Sequence, residues 1–159
     1  MKHERLKILI LIFFLIGWLS GITYAEEFKF IEPTKGDKCP VCGMFVYKYP
    51  QWIAEIVFKD GTYAVFDGPK DMFKYYFNIS KYNKSRTKED IAEIYATEYY
   101  TTKRVKAKDV YFVIGSDSYG PMGDELIPIK GKKEAETFAK EHKGGKILTF
   151  DQISPEDVQ

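Results

Sequence analysis

Apolar and polar positions alternate from Trp52 to Lys59 (WIAEIVFK), which predicts a strand half-buried in a sheet. Asp60-Gly61 is a two-residue hairpin signal, and Thr62 to Phe66 reads as the returning strand. Asp67-Gly68-Pro69 punctuates the chain. Lys70 to Asn78 then predicts a helix with Met72, Phe73, Tyr76 and Phe77 on one face, and Pro69 and Asp67 suit its start. Ser80 to Asp90 is polar and predicts a surface loop, and the β-branched, aromatic run Ile91 to Thr102 predicts a strand. The second half repeats the order. A strand is expected within Val105 to Gly115, a Gly-rich loop over Ser116 to Gly123, and a strand over Glu125 to Lys130. A Lys/Glu-rich helix over Lys132 to His142 and a closing strand over Lys146 to Phe150 follow. Both halves read strand–strand–helix–strand, so the expected fold is α+β, two small tandem ββαβ units packed together. The first unit is expected over residues 36–102 and the second over 103–150, with 151–159 as a frayed tail.

The first 25 residues carry a different pattern. Lys2, Arg5 and Lys7 precede an unbroken apolar run from Ile8 to Leu19, and a small-residue stretch ends at Thr23-Tyr24-Ala25. A basic start, a short apolar run and a small residue at the end predict a secretory signal peptide; the alternative is an uncleaved N-terminal anchor. The run is shorter than the roughly 20 residues of a membrane-spanning helix. Either reading puts the body of the protein outside the cytoplasm, in the periplasm of a Gram-negative cell, with membrane contact only if the segment stays attached.

Composition narrows the chemistry. With 24 Lys+Arg against 23 Asp+Glu, the charge is balanced, which argues against nucleic acid as a partner. At 16% aromatic, the core is expected to lean on Phe and Tyr. Two Cys and two His leave little room for sites built from those residues alone. Neither G-x-S-x-G nor a P-loop is present, so hydrolytic catalysis is not expected.

Three places can carry chemistry. In Cys39-Pro40-Val41-Cys42-Gly43-Met44 the C-x-x-C pair has three readings: a structural disulfide, a dithiol redox centre, or metal ligands. The redox reading wants a helix to open at the motif, whereas β-prone FVYKYP follows. Two Cys with no neighbouring His do not complete a structural zinc site in the usual way. Cys42 and Met44 offer a thiolate and a thioether two residues apart, soft donors that select Cu(I), and in an extended segment both face one side. The second place is Gly120-Pro121-Met122-Gly123-Asp124-Glu125, where Met122 is either a core gap-filler or a third sulfur ligand. The third is Asp67 to Phe73. There Met72 is expected in the core, and Asp67 is expected to cap the helix, with loop orientation or metal contact as alternatives. His142 is expected to be a solvated surface residue.

The runs DKCPVCGMFVYKYPQWIAEIVFKDGTYAVFDGPKDMFKYY and YFVIGSDSYGPMGDELIP resemble the NosL family, the nitrous oxide reductase accessory proteins. The resemblance spans about Gly36 to Phe150, and C-x-x-C-G-M combined with G-P-M-G is specific. It implies two ββαβ units, as in organomercurial lyase, and a periplasmic Cu(I) metallochaperone rather than an enzyme. The implied partners are copper-enzyme assembly proteins or the acceptor copper enzyme. The implied ligands fall on Cys42 and Met44, with the distal methionine at Met122. This chain lacks the lipobox Cys that many members carry. It also adds Cys39, which either joins the copper site or forms a disulfide with Cys42 that blocks it. The rival functions are a periplasmic thiol–disulfide protein using Cys39 and Cys42, and a structural adaptor stapled by their disulfide.

Overall fold

A computed structural model of the protein describes residues 27–159; the expected signal segment lies outside the described residues. The chain is a mixed α/β fold in which the two halves share one topology. β1 (Ala54–Phe58) is flanked by β2 (Tyr63–Phe66) and β3 (Ile91–Thr97), antiparallel on both sides. Between β2 and β3 run α1 (Pro69–Phe77) and the single turn α2 (Ile79–Tyr82). In the second half β5 (Tyr111–Ile114) is flanked in the same way by β8 (Ile127–Ile129) and β9 (Lys146–Thr149), with α3 (Lys132–Glu141) between them. The expected ββαβ order is therefore present twice. β4 (Arg104–Lys106), just beyond the expected boundary, pairs with β3 and makes the first sheet four-stranded.

Three segments differ from expectation. The strand expected over Ile91 to Thr102 stops at Thr97. The Glu98 carboxylate accepts hydrogen bonds from the Thr101 N–H (2.7 Å) and hydroxyl (2.6 Å), and Thr102 takes a positive φ of 54°, so the chain turns back into β4. The Gly-rich loop holds a tight hairpin of β6 (Tyr119–Gly120) and β7 (Gly123–Asp124), with Pro121-Met122 at its tip. Gly123, at φ 84°, closes it in a conformation that side chains disfavour. The polar stretch after α1 is ordered by α2 and by a 3-10 turn, Lys88–Asp90, closed by a Thr87–Asp90 capping box.

Aromatic rings join the two halves. Phe73 of α1 packs edge-on against Phe112 of β5 (centroids 5.1 Å apart) and lies 5.1 Å from Phe150, which follows β9. The main core thus runs from the first sheet through α1 to one face of the second sheet. The other face, with Val113, Ile127 and Ile129, is covered by Ala135 and Phe138 of α3. This arrangement plants the N-terminus of α1 between the halves.

The tail is not frayed. Ile153 and Val158 are buried, and Pro155–Val158 is a 3-10 turn with a Ser154–Asp157 capping box that packs on α1. Burying an aliphatic side chain is worth about 1.5–3 kcal/mol, so deleting residues 153–159 should destabilise the protein by about 3 kcal/mol. Urea denaturation of the truncated chain checks this; an unchanged midpoint would contradict the packing.

Candidate metal centre

The C-x-x-C-G-M segment folds into a closed loop around its own sulfurs. Lys38 and Phe45 form an antiparallel bridge, the Cys39 N–H donates to the Met44 carbonyl (2.9 Å), and the Gly43 N–H donates to the Cys39 carbonyl (2.9 Å). Gly43 has φ 79°, so the chain bends between Cys42 and Met44. The extended segment expected there does not form, because closing the loop requires a left-handed residue and glycine adopts one without a Cβ penalty. The turn aims the N–H groups of Val41 and Cys42 at the Cys39 sulfur and that of Met44 at the Cys42 sulfur, an arrangement that favours thiolates.

Both cysteines are free thiols; Cys39 is 1% exposed and Cys42 is half-buried. No disulfide joins them in this structure. Facing them are two carboxylates from the start of α1. Cys39 Sγ donates to Asp71 Oδ2 at 3.4 Å, and Cys42 Sγ donates to Asp67 Oδ1 at 3.2 Å. One ligand atom from each of Cys39, Cys42, Asp67 and Asp71 lies within 4.8 Å of every other. The two carboxylates complete a four-group set that two Cys alone could not supply. Asp67 does not cap the helix. Gly68 occupies the N-cap and no side chain of that residue closes the turn, while Asp67 points to Cys42 with its Oδ2 buried and without a hydrogen-bond partner. Asp67 and Asp71 are one helical turn apart at the N-terminus of α1, where the helix dipole favours negative charge.

Burial pushes both thiols up. The Cys39 thiol is held far above the usual range, mainly by its loss of water, and the Cys42 thiol is pushed up to about 11 by burial, with Asp67 and Asp71 adding to the effect. A redox-active dithiol has at least one thiol lowered, so this site is poised against thiolate attack in the absence of a cation.

The methionines differ in setting. Met72 is fully buried in the core, as expected. Met44 is half-buried on the loop, and Met122 is 44% exposed at the β6–β7 tip. The Met122 hairpin meets the first turn of α1, where Lys70 Nζ donates to the Met122 carbonyl at 3.4 Å. Glu125 fastens the same junction. Its buried carboxylate accepts from the backbone N–H of Lys70 and, at 3.0 Å, from that of Leu126, and burial pushes its pKa up to about 8. Asp124 is exposed on β7.

His142 is not free in solvent. Its ring stacks on Phe138 (centroids 4.3 Å apart), and its Nδ1 lies 3.1 Å from Asp117 Oδ1 and 3.4 Å from Ser118 Oγ. A hydrolytic relay needs the acid and the hydroxyl on opposite ring nitrogens, whereas here both meet Nδ1.

The NosL family model matches residues 30–158. The chain belongs to the NosL family. The resemblance read from the C-x-x-C-G-M and G-P-M-G motifs is thereby borne out. Among solved structures, the copper chaperone NosL from Shewanella denitrificans is similar, with 22% identity, a TM-score of 0.70, and coverage of 82% of this chain and 98% of that one. The solution structure of apo-NosL from Achromobacter cycloclastes shares 21% identity over 66% of this chain and 87% of its own, with a TM-score of 0.48. The Shewanella likeness establishes the NosL fold for this chain. No curated protein matches the sequence.

Asp71 and Glu125 were not candidates from the sequence. Asp71 had a readable signal, since D-G-P-K-D places two acids one turn apart at a helix start. Glu125 had none; it stands at the head of an expected strand, where an acid ordinarily faces water.

Proposed function

We propose that this NosL-family protein is a periplasmic Cu(I) metallochaperone. Its role is to deliver copper for assembly of a copper enzyme, by family resemblance nitrous oxide reductase, with assembly proteins or the acceptor enzyme as partners. The observation that carries the reading is the pair of free thiols folded into one loop against the start of α1. The Shewanella relative, a copper chaperone by name, supports the same reading.

The ligands proposed are Cys42, Met44 and Met122. Cys42 is the more open thiol, and one thiolate with two uncharged thioethers matches the single charge of Cu(I). A second thiolate at Cys39 would add another negative charge beside the Asp67 and Asp71 carboxylates. Cys39 therefore remains a thiol that donates to Asp71 and braces the loop. The partial exposure of Cys42 and Met122 lets an acceptor's ligand attack before the resident ligands leave, which suits transfer rather than storage.

A second reading has specific support. Two thiolates and two carboxylates within 4.8 Å are also a four-ligand set for Zn(II). Copper-edge X-ray absorption of the Cu(I)-loaded protein separates the two donor sets. A first shell of sulfur alone is expected, and an oxygen shell from Asp67 or Asp71 would overturn the thioether assignment. Met44→Ala and Met122→Ala should each weaken Cu(I) binding roughly tenfold, about 1.4 kcal/mol, by competition with a chromophoric chelator. Wild-type affinity in both would remove the methionines from the site.

A further inference from the structure

Two of the sequence's punctuated turns, Asp67-Gly68-Pro69 and Gly120-Pro121-Met122, come together on one side chain that neither contains. A Cβ built on Gly68 would lie 2.1 Å from Glu125 Oε2, and one built on Gly120 would lie 3.0 Å from Glu125 Cγ and Oε2. The Glu125 carboxylate is thus wedged between two glycines, one on each turn, and a methyl group at either would crowd it. Its Oε1 meanwhile accepts from the Lys70 N–H, across 55 residues of sequence. That bond supplies the cap that Gly68 cannot provide, so the side chain that satisfies the helix start belongs to the segment leading out of the Met122 hairpin. Lys70 returns the connection through its Nζ to the Met122 carbonyl.

The geometry points to Glu125 as the positioning residue that sets the Met122 hairpin against the first turn of α1, and through it against the thiol loop. This rests on the proposed copper site for its functional meaning, but the placement of the hairpin does not need a metal. A hairpin with two-residue strands has too few backbone hydrogen bonds to hold its own orientation. A buried carboxylate that accepts from the Lys70 N–H on α1 while filling the space between two turns can hold it. Loss of the carboxylate would free the hairpin to swing and would cost the contribution of Met122 without touching Cys42.

The test uses the mature protein with Glu125→Ala, Glu125→Gln, Met122→Ala and the Glu125→Ala/Met122→Ala double variant. In the metal-free protein, chymotrypsin cleavage after Tyr119, which is 65% exposed on the hairpin, should accelerate roughly tenfold in Glu125→Ala. It should stay near wild type in Glu125→Gln, whose amide oxygen still accepts from Lys70 and Leu126. Cu(I) affinity should fall roughly tenfold in Glu125→Ala, and the double variant should be no weaker than Met122→Ala, because the two residues act through one contact. Unchanged cleavage in Glu125→Ala, or a double variant that loses the product of the single effects, would overturn the assignment. Faster cleavage in a protein whose wild type binds no Cu(I) would sink the copper reading and leave the hairpin assignment standing. If Glu125→Ala does not fold, Gly120→Ala serves instead. Its new methyl group pushes the hairpin off the carboxylate, and faster cleavage with weaker Cu(I) binding is again expected. Wild-type behaviour of that variant would also overturn the assignment.

Discussion

Cys42→Ser should weaken Cu(I) binding by roughly a thousandfold or more, about 4 kcal/mol, the largest effect of any single substitution in the site. Cys42 is the one anionic ligand in the proposed set, and a hydroxyl neither ionises near neutral pH nor offers soft sulfur to a soft cation. Loop closure does not depend on this side chain. The Cys39–Met44 and Gly43–Cys39 backbone bonds and the Lys38–Phe45 bridge remain, so the variant should fold with a thermal midpoint close to wild type. Cys39→Ser should behave in the opposite way. Its sulfur is 1% exposed in the main core, so stability should fall while Cu(I) affinity stays within about threefold of wild type. Parallel chelator competitions and thermal melts on the two variants read both effects. Equal loss of affinity in the two would mean that Cu(I) is held by a pair of thiolates.

Cu(I) affinity should rise about tenfold for each unit of pH between 6 and 8, roughly a hundredfold in all, because one thiol proton leaves per ion bound. The sign follows from Cys42. Its pKa is pushed up to about 11 by burial and by the facing carboxylates, so throughout this range the metal-free site holds the proton and the copper-bound site does not. Binding therefore competes with protons at every pH up to about 11, and higher pH favours the metal. The thioethers of Met44 and Met122 carry no proton and leave the slope at one. Chelator competition at several pH values gives the slope directly. A slope of two would bring Cys39 into the site as a second thiolate, and a flat profile would exclude a thiol ligand.

Much of the fold was legible because strong local signals agreed. Alternation in WIAEIVFK, Asp60-Gly61 and the Gly68-Pro69 helix start each marked an element that formed within a residue or two of its expected bounds. The misreadings came where distant contacts decide. Ile153 and Val158 are isolated among polar residues, and the turn that carries Val158 packs on α1, far away in sequence. The β6–β7 hairpin is too short to leave a periodic trace. In the site, Cys39, Cys42 and Met122 stood out by residue type, whereas the roles of Asp67 and Asp71 follow from where the thiol loop lands on α1. The bend at Gly43 was hidden in the same way, since a glycine in a motif does not announce the sign of its φ.

The most direct test of the central claim is an anaerobic Cu(I) titration of the reduced protein against a chromophoric competitor. The account predicts tight one-to-one binding by wild type that is lost in Cys42→Ser and weakened in Met122→Ala. Failure of the reduced wild-type protein to withdraw Cu(I) from the competitor would contradict it.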